Sequence, residues 1–135
     1  MEQRDLLKEE IEQLGRALGK VVTLVLHLDT PAEVDPAIQR ADEVLRERLS
    51  LSIEELRSLS KTEFGAYLAE RHLTEAQYEK LAEYFFRIGR AQSVKAVGQE
   101  YLQRALWLLE LADTSSENFS LVRHAKRGEI ERLLE

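Results

Sequence analysis

Histidines and carboxylates are the side chains of this sequence that could most readily do chemistry. The three histidines, His27, His72 and His124, lie far apart, and none belongs to a His-Glu-x-x-His or Glu-x-x-His motif. Helical zinc sites and carboxylate-bridged metal pairs depend on those spacings. We therefore predict no metal site.

Acid–base and nucleophilic chemistry have equally little support. Carboxylates four residues apart, such as Glu43 with Glu47 or Glu79 with Glu83, could hold a cation on a helix face, but in an acidic helical protein they favour a solvated surface. The chain has no cysteine, and no Gly-x-Ser-x-Gly elbow, phosphate-binding loop or dinucleotide fingerprint occurs in it. The sequence predicts no catalytic residue and no cofactor, so we expect a protein that is not an enzyme.

One basic cluster stands out against this acidic background. Arg123, His124, Lys126 and Arg127 lie together near the C-terminus, close to glutamates. They could bind an acidic peptide or a phosphate, but charges of both signs are typical of an ordinary helix surface. We favour the second interpretation.

Composition limits the class of partner and the number of domains. The chain has 135 residues, 44% of them hydrophobic, and a net charge of −6. This length suits a single domain over residues 1–135, and the charge disfavours nucleic acid, which needs clustered cations. We expect a cytoplasmic protein without a membrane segment, because the start lacks a signal-peptide pattern and the apolar run at 21–28 is too short to span a bilayer.

Helix signals recur along the whole chain, so the elements that position these side chains should form an all-α fold. A long first helix over residues 3–28 should end before Pro31, and Asp35 with Pro36 should start a second helix that continues to residue 49. A further helix is expected at about 94–112, and three capping boxes and a serine cap predict the others, at about 53–59, 61–71, 75–91 and from 121 to the end. Their starts are Ser52-x-x-Glu55, Ser60-x-x-Glu63, Thr74-x-x-Gln77 and Ser120.

The first helix has two apolar stripes. One is a heptad seam that runs through Leu7, Ile11, Leu14, Leu18, Val21, Val25 and Leu28. The other is made of Gly15, Gly19, Val22 and Leu26, about 100° further round the helix. A helix that is apolar on two faces needs two neighbours.

Three interpretations of the second stripe stay open. The other helices of the chain could cover it, or it could meet the same helix of a second copy, with the two glycines allowing close approach. Alternatively, residues 21–28 could be a strand, since β-branched residues favour strands, although no second strand is predicted for it to pair with.

The C-terminal half should contain an antiparallel helical hairpin. Trp107 and Leu111 fall off the main apolar stripe of its second helix, among polar residues. We expect the final helix to cover them, and the alternative is an exposed anchor for a partner.

The segment "YLQRALWLLELAD" resembles the second helix of a tetratricopeptide unit, with small residues where backbones approach and leucines between them. The segments "IEQLGRALGKVV", "ALWLLE" and "ENFSLVR" together resemble small bacterial helical proteins to which no activity is assigned. The resemblance implies tetratricopeptide-like hairpins and a scaffolding role, and it implies no substrate.

Together these observations predict an antiparallel bundle of six or seven helices that binds other proteins without catalysis. Its interface candidates are Gly15, Gly19, Val22, Leu26, Trp107 and Leu111, and its partner is a second copy or another helical protein. The alternative is a bundle that encloses an apolar small molecule, or an enzyme without a recognisable motif.

Overall fold

The computed structural model describes residues 2–26, 28 and 31–135, without the side chains at 2–8, 10, 11, 14, 31 and 49. Seven α-helices and one 3-10 turn make up the described chain, which contains no strand, so the predicted all-α fold is confirmed. The helices are α1 (Glu2–Val25), α2 (Val34–Leu49), α3 (Ile53–Ser58), α4 (Lys61–Ala69), α5 (Glu75–Ala91), α6 (Lys95–Ser115) and α7 (Leu121–Leu134).

The α5–α6 hairpin is the centre of the fold. The two helices make the most extensive contact in the protein, with α1 and α2 packed on the α5 side and α3, α4 and α7 on α6. At the closed end of the hairpin, a Cβ built on Gly98 would lie only 2.7 Å from the carbonyl oxygen of Gly89. Only glycine permits two helix backbones to approach so closely.

The capping residues predicted from the sequence start the helices as expected. The hydroxyls of Ser60 and Thr74 accept from the backbone N–H three residues later, and the Glu63 and Gln77 side chains accept from the cap N–H in return, which completes both capping boxes. Ser52 caps α3 through a single such bond. Ser120 caps α7 in the same way, accepting from Arg123 N at 3.2 Å.

The first two helices differ from the prediction at their ends. The regular turns of α1 end at Val25, three residues early, and they include residues 21–25, so the strand interpretation fails there. The start of α2 is also earlier than predicted, at Val34, because the 3-10 turn Pro31–Glu33 leads directly into it. Asp35 is therefore not the N-cap but an acidic residue in the first turn.

The end of α6 is later than predicted, at Ser115. We expected the polar side chains after residue 112 to compete with the helical hydrogen bonds. Instead, the hydroxyls of Thr114 and Ser115 donate to the carbonyl oxygens of Glu110 and Leu111, one turn back, at 3.0 and 2.9 Å. Both hydroxyls therefore bond within the helix and do not disrupt it, and the helix continues to Ser115.

Most of the described heptad seam lies in the core, and Leu28 is partly buried against it. Leu18, Val21 and Val25 are almost completely buried, while Leu7 and its two successors in the seam fall outside the described side chains. Tyr84, which departs from the apolar stripe of α5, is also fully buried. As the central helix, α5 has neighbours on more than one side.

Candidate functional site

An open groove lies where the end of α1 meets the end of α5, and we call it the Leu26 groove. Its volume is about 520 Å³, and the exposed fraction of Leu26 is 40%. It is lined by Val25, Leu26, Leu28, Phe86, Arg87, Arg90, Ala91, Gln92, Lys126 and Glu129. The exposed apolar side chain of Leu26 is thus bordered by charged side chains from α5 and α7.

Two cations flank the aromatic ring in the floor of the Leu26 groove. The Lys126 Nζ lies 3.7 Å from the centroid of the Phe86 ring, and the Arg90 guanidinium carbon lies 5.5 Å from it. Both distances allow cation–π attraction, which holds positive charge beside the apolar surface.

The charges of the groove are only partly neutralised. Arg87 Nε pairs with Glu83 at 2.7 Å, and Lys126 lies 3.7 Å from carboxylate oxygens of Glu83 and Glu129. Arg90 is exposed and belongs to no ion pair within the described residues. The groove therefore offers a cation that is in no ion pair within the described part of the chain, while the overall charge of the chain is negative.

The two glycines predicted as interface residues lie on the side of α1 that leads towards Leu26. A Cβ built on Gly15 or on Gly19 would meet no atom within 4 Å outside its own helix. Val22, between Gly19 and Leu26 on this stripe, packs partly against the core. The described helices thus leave this side of α1 open at both glycines.

The other two predicted interface residues are covered, although not by the helix we expected. The Trp107 ring meets the ring of Phe64 in α4 edge to face, with 5.4 Å between centroids. Leu111 packs in the same direction, since its Cδ2 atom lies 4.0 Å from a Cβ built on Gly65 of α4. Both side chains are half-buried.

The positions of side chains around α6 explain why α4, and not the final helix, covers Trp107 and Leu111. Asp113, which contacts α7, and Leu109 lie about half a turn round α6 from Trp107 and Leu111. The final helix therefore packs on one side of α6 and α4 on the other. Neither Trp107 nor Leu111 is an exposed anchor.

The basic cluster of α7 contains a buried clamp that the sequence did not reveal. The Arg123 side chain is only 3% exposed, and its guanidinium pairs with Glu75 and Glu79 of α5 and with Asp113 of α6. Arg127 adds a second bond to Asp113 at 2.9 Å. Arg123 therefore joins three helices and is not available to an outside anion.

The clamp lowers the pKa of two carboxylates, those of Glu75 and Asp113. The hydrogen bond from Arg123 holds the pKa of Glu75 below its usual value. Partial burial would raise the pKa of Asp113, but hydrogen bonds from Arg123 and Arg127 outweigh it, and that pKa is lowered too. These carboxylates stay charged in the folded protein.

The remaining candidates for chemistry are not brought together. His72 and His124 are exposed, and His27 falls outside the described residues. Among the described residues, no three histidine, cysteine or acidic side chains are grouped as metal ligands. The described helices also include none with the length and apolar character needed to cross a membrane.

An exposed apolar patch at the start of α7 was missed by the sequence analysis. Phe119, Leu121 and Val122 are 75%, 74% and 81% exposed. Leu121 and Val122 belong to the final helix, which we expected to cover Trp107 and Leu111. Their apolar character suggested burial, and the direction in which each side chain points was not evident from the sequence alone.

No protein-family model, curated protein or solved structure matches this chain. The tetratricopeptide resemblance, bacterial origin, cytoplasmic location and self-association of the protein stay predictions.

Proposed function

We propose that the protein is a non-catalytic binding domain that docks an acidic amphipathic helix of another protein in the Leu26 groove. The observation that carries this proposal is the exposed apolar side chain of Leu26 beside Arg90, a cation without an ion-pair partner in the described chain. An amphipathic helix binds by placing its apolar face in such a groove.

The chemistry of the partner follows from the charges at the groove. Its apolar side chains would cover Leu26, and its carboxylates would meet Arg90 and Lys126. Electrostatic complementarity of this kind selects partners and speeds their association. The open side of α1 at Gly15 and Gly19 leaves room for the partner backbone to approach closely.

A displayed library of random helical peptides tests the proposal, because it presupposes no particular partner. We expect selection on the wild-type protein to enrich peptides with apolar residues three and four apart and acidic flanks. Arg90→Glu should weaken their binding by about tenfold, because an attraction becomes a repulsion. Arg40→Glu is the matched control, since Arg40 is exposed on α2 and in no ion pair among the described residues.

Two results would count against this function. One is a selection that enriches no helical peptide, and the other is enriched peptides that bind Arg90→Glu and wild type equally well. Gly19→Leu adds a steric test, since the larger side chain should obstruct the partner on the α1 side while improving helix propensity.

A small apolar ligand is the second candidate occupant of the same groove. Its volume of about 520 Å³ is within the range of small-molecule sites. A compound that raises the melting temperature of the wild type, and does so less for Leu26→Asp, would favour this alternative.

A further inference from the structure

A second cavity lies at the closed end of the α5–α6 hairpin, and we call it the Lys95 cavity. Its volume is about 280 Å³. Its lining includes Arg90 and Gln92 from the end of α5, Lys95 and Gln99 from the start of α6, and Leu133 from the end of α7. Arg90 and Gln92 also line the Leu26 groove, so the two cavities adjoin at these residues.

The last helix forms a wall along both cavities. Lys126 and Glu129 line the Leu26 groove, and Leu133 lines the Lys95 cavity. These three residues recur three and four positions apart, so they lie on one side of α7. This side is about 10 Å long from Lys126 to Leu133. The two cavities therefore form one trough beside α7, and they join at Arg90.

The Lys95 cavity has the charge that a carboxylate needs. Lys95 is exposed and, like Arg90, belongs to no ion pair within the described residues. These two cations line the cavity, and no aspartate or glutamate of the described chain does. The chain has 25 acidic and 19 basic residues, so a cavity lined by cations alone differs from its average surface.

An accessible apolar side chain lies beside these cations. Leu133 is 42% exposed, which is close to the 40% of Leu26 in the neighbouring groove. The trough thus offers two exposed leucines, one in each cavity, with Arg90 between them. Apolar contacts that follow each other along the axis are what an amphipathic helix requires of its groove.

We propose that the partner helix continues past Arg90 into the Lys95 cavity. One of its apolar side chains covers Leu133, as another covers Leu26, and its acidic flank places a carboxylate beside Lys95. This inference rests on the proposed function and deepens it, because it assigns the acidic flank of the partner to a particular place on the protein.

Charge reversal at Lys95 tests this inference. The probes are helical peptides of about 20 residues, selected on the wild-type protein from a displayed library, since a helix of about 30 Å spans the trough. Lys95→Glu should weaken their binding, measured by fluorescence anisotropy, by about fivefold, because a repulsion replaces an attraction. An acidic residue in the first turn of α6 is favourable, so this variant should stay folded.

Lys80→Glu is the matched control for the change in net charge. Lys80 is exposed on α5, is in no ion pair among the described residues and lines neither cavity. Its reversal should leave the affinity of the peptides within about twofold of the wild-type value, because exposed charges beyond a Debye length are largely screened.

A charge exchange locates the contact. Replacement of one acidic residue of the peptide by alanine should abolish its sensitivity to Lys95→Glu. With lysine at that position, the peptide should bind Lys95→Glu more tightly than the wild type, by about fivefold, because the attraction is restored with its signs exchanged. Lys80→Glu should give no such gain.

Leu133→Gln tests the apolar contact without adding a charge. It should weaken the peptides by about threefold or more, because apolar area at Leu133 is no longer removed from water. Leu121→Gln is the control, since Leu121 is 74% exposed at the start of α7 and lines neither cavity.

Arg90→Glu separates failure of this inference from failure of the proposed function. If Arg90→Glu weakens the peptides, but Lys95→Glu or Leu133→Gln binds them as tightly as its control does, the helix ends at Arg90. That result overturns the inference and leaves the proposed function standing. If Arg90→Glu binds them as the wild type does, or if no helical peptide is selected, both are overturned.

Discussion

Tyr84 places a polar hydroxyl group in the apolar core of the protein. The side chain is fully buried, and the hydroxyl has no hydrogen-bond partner among the described residues. Burial raises its pKa, as do the nearby Tyr101 and Asp42, so the group stays neutral. We predict that Tyr84→Phe increases the free energy of unfolding by about 1 kcal/mol, because it removes an unsatisfied buried group. Urea denaturation measures this change.

Tyr67 provides the matched control for Tyr84→Phe. Its hydroxyl donates to the Ser50 carbonyl oxygen and accepts from the Ser52 N–H, both at 3.3 Å. Tyr67→Phe should therefore lower stability, by about 0.5–1.5 kcal/mol. A loss of stability in Tyr84→Phe as well would show that the Tyr84 hydroxyl has a partner, such as a buried water.

At the scale of elements, two glycines that both lie inside helices should respond in opposite ways to substitution by alanine. Gly98→Ala should destabilise the protein by about 1–3 kcal/mol, because its Cβ would lie 2.7 Å from the Gly89 carbonyl oxygen and force α5 and α6 apart. Gly19→Ala should instead stabilise it by up to about 1 kcal/mol through helix propensity, since its Cβ meets nothing. Thermal denaturation of both variants checks the difference, and a destabilised Gly19→Ala would mean that this side of α1 is covered.

The same scale shows which features could be predicted from the sequence. Helix starts with a side-chain cap, at Ser60, Thr74 and Ser120, were predicted because donor and acceptor are only three residues apart. The exact start of α2 was not predicted, because its N-cap Glu33 makes no side-chain capping bond. Leu26 was found from helical periodicity alone.

The rest of the candidate site depends on contacts between distant parts of the chain. Lys126 reaches the Phe86 ring across 40 residues of sequence, and Arg123 pairs with Glu75 across 48. No local spacing indicates such a pair, so the cluster on α7 looked like ordinary surface. Neither the groove nor the clamp could be found before the helices were packed.

At the scale of the whole molecule, Arg123 connects the three helices that form the C-terminal half. Glu75 is at the start of α5 and Asp113 is near the end of α6, and antiparallel packing brings both to the start of α7. The carboxylates are partly exposed, so water offsets part of each ion pair. The guanidinium itself is buried and depends on them.

Acid should therefore weaken the association of α7 with the hairpin. The pKa values of Glu75 and Asp113 are lowered by folding from their ordinary 4.5 and 3.8, so they stabilise the folded state above those values. That stability is lost as pH falls through the lowered values, because the folded state then has to take up protons.

Arg123→Met should lower stability at neutral pH by about 1–3 kcal/mol. It should also make the decline below about pH 4.5 less steep. Urea denaturation from about pH 7 to about pH 3 measures both effects, and Arg40→Met, at an exposed arginine, is the control. Equally steep declines in the wild type, Arg123→Met and Arg40→Met would show that the clamp does not set the acid sensitivity.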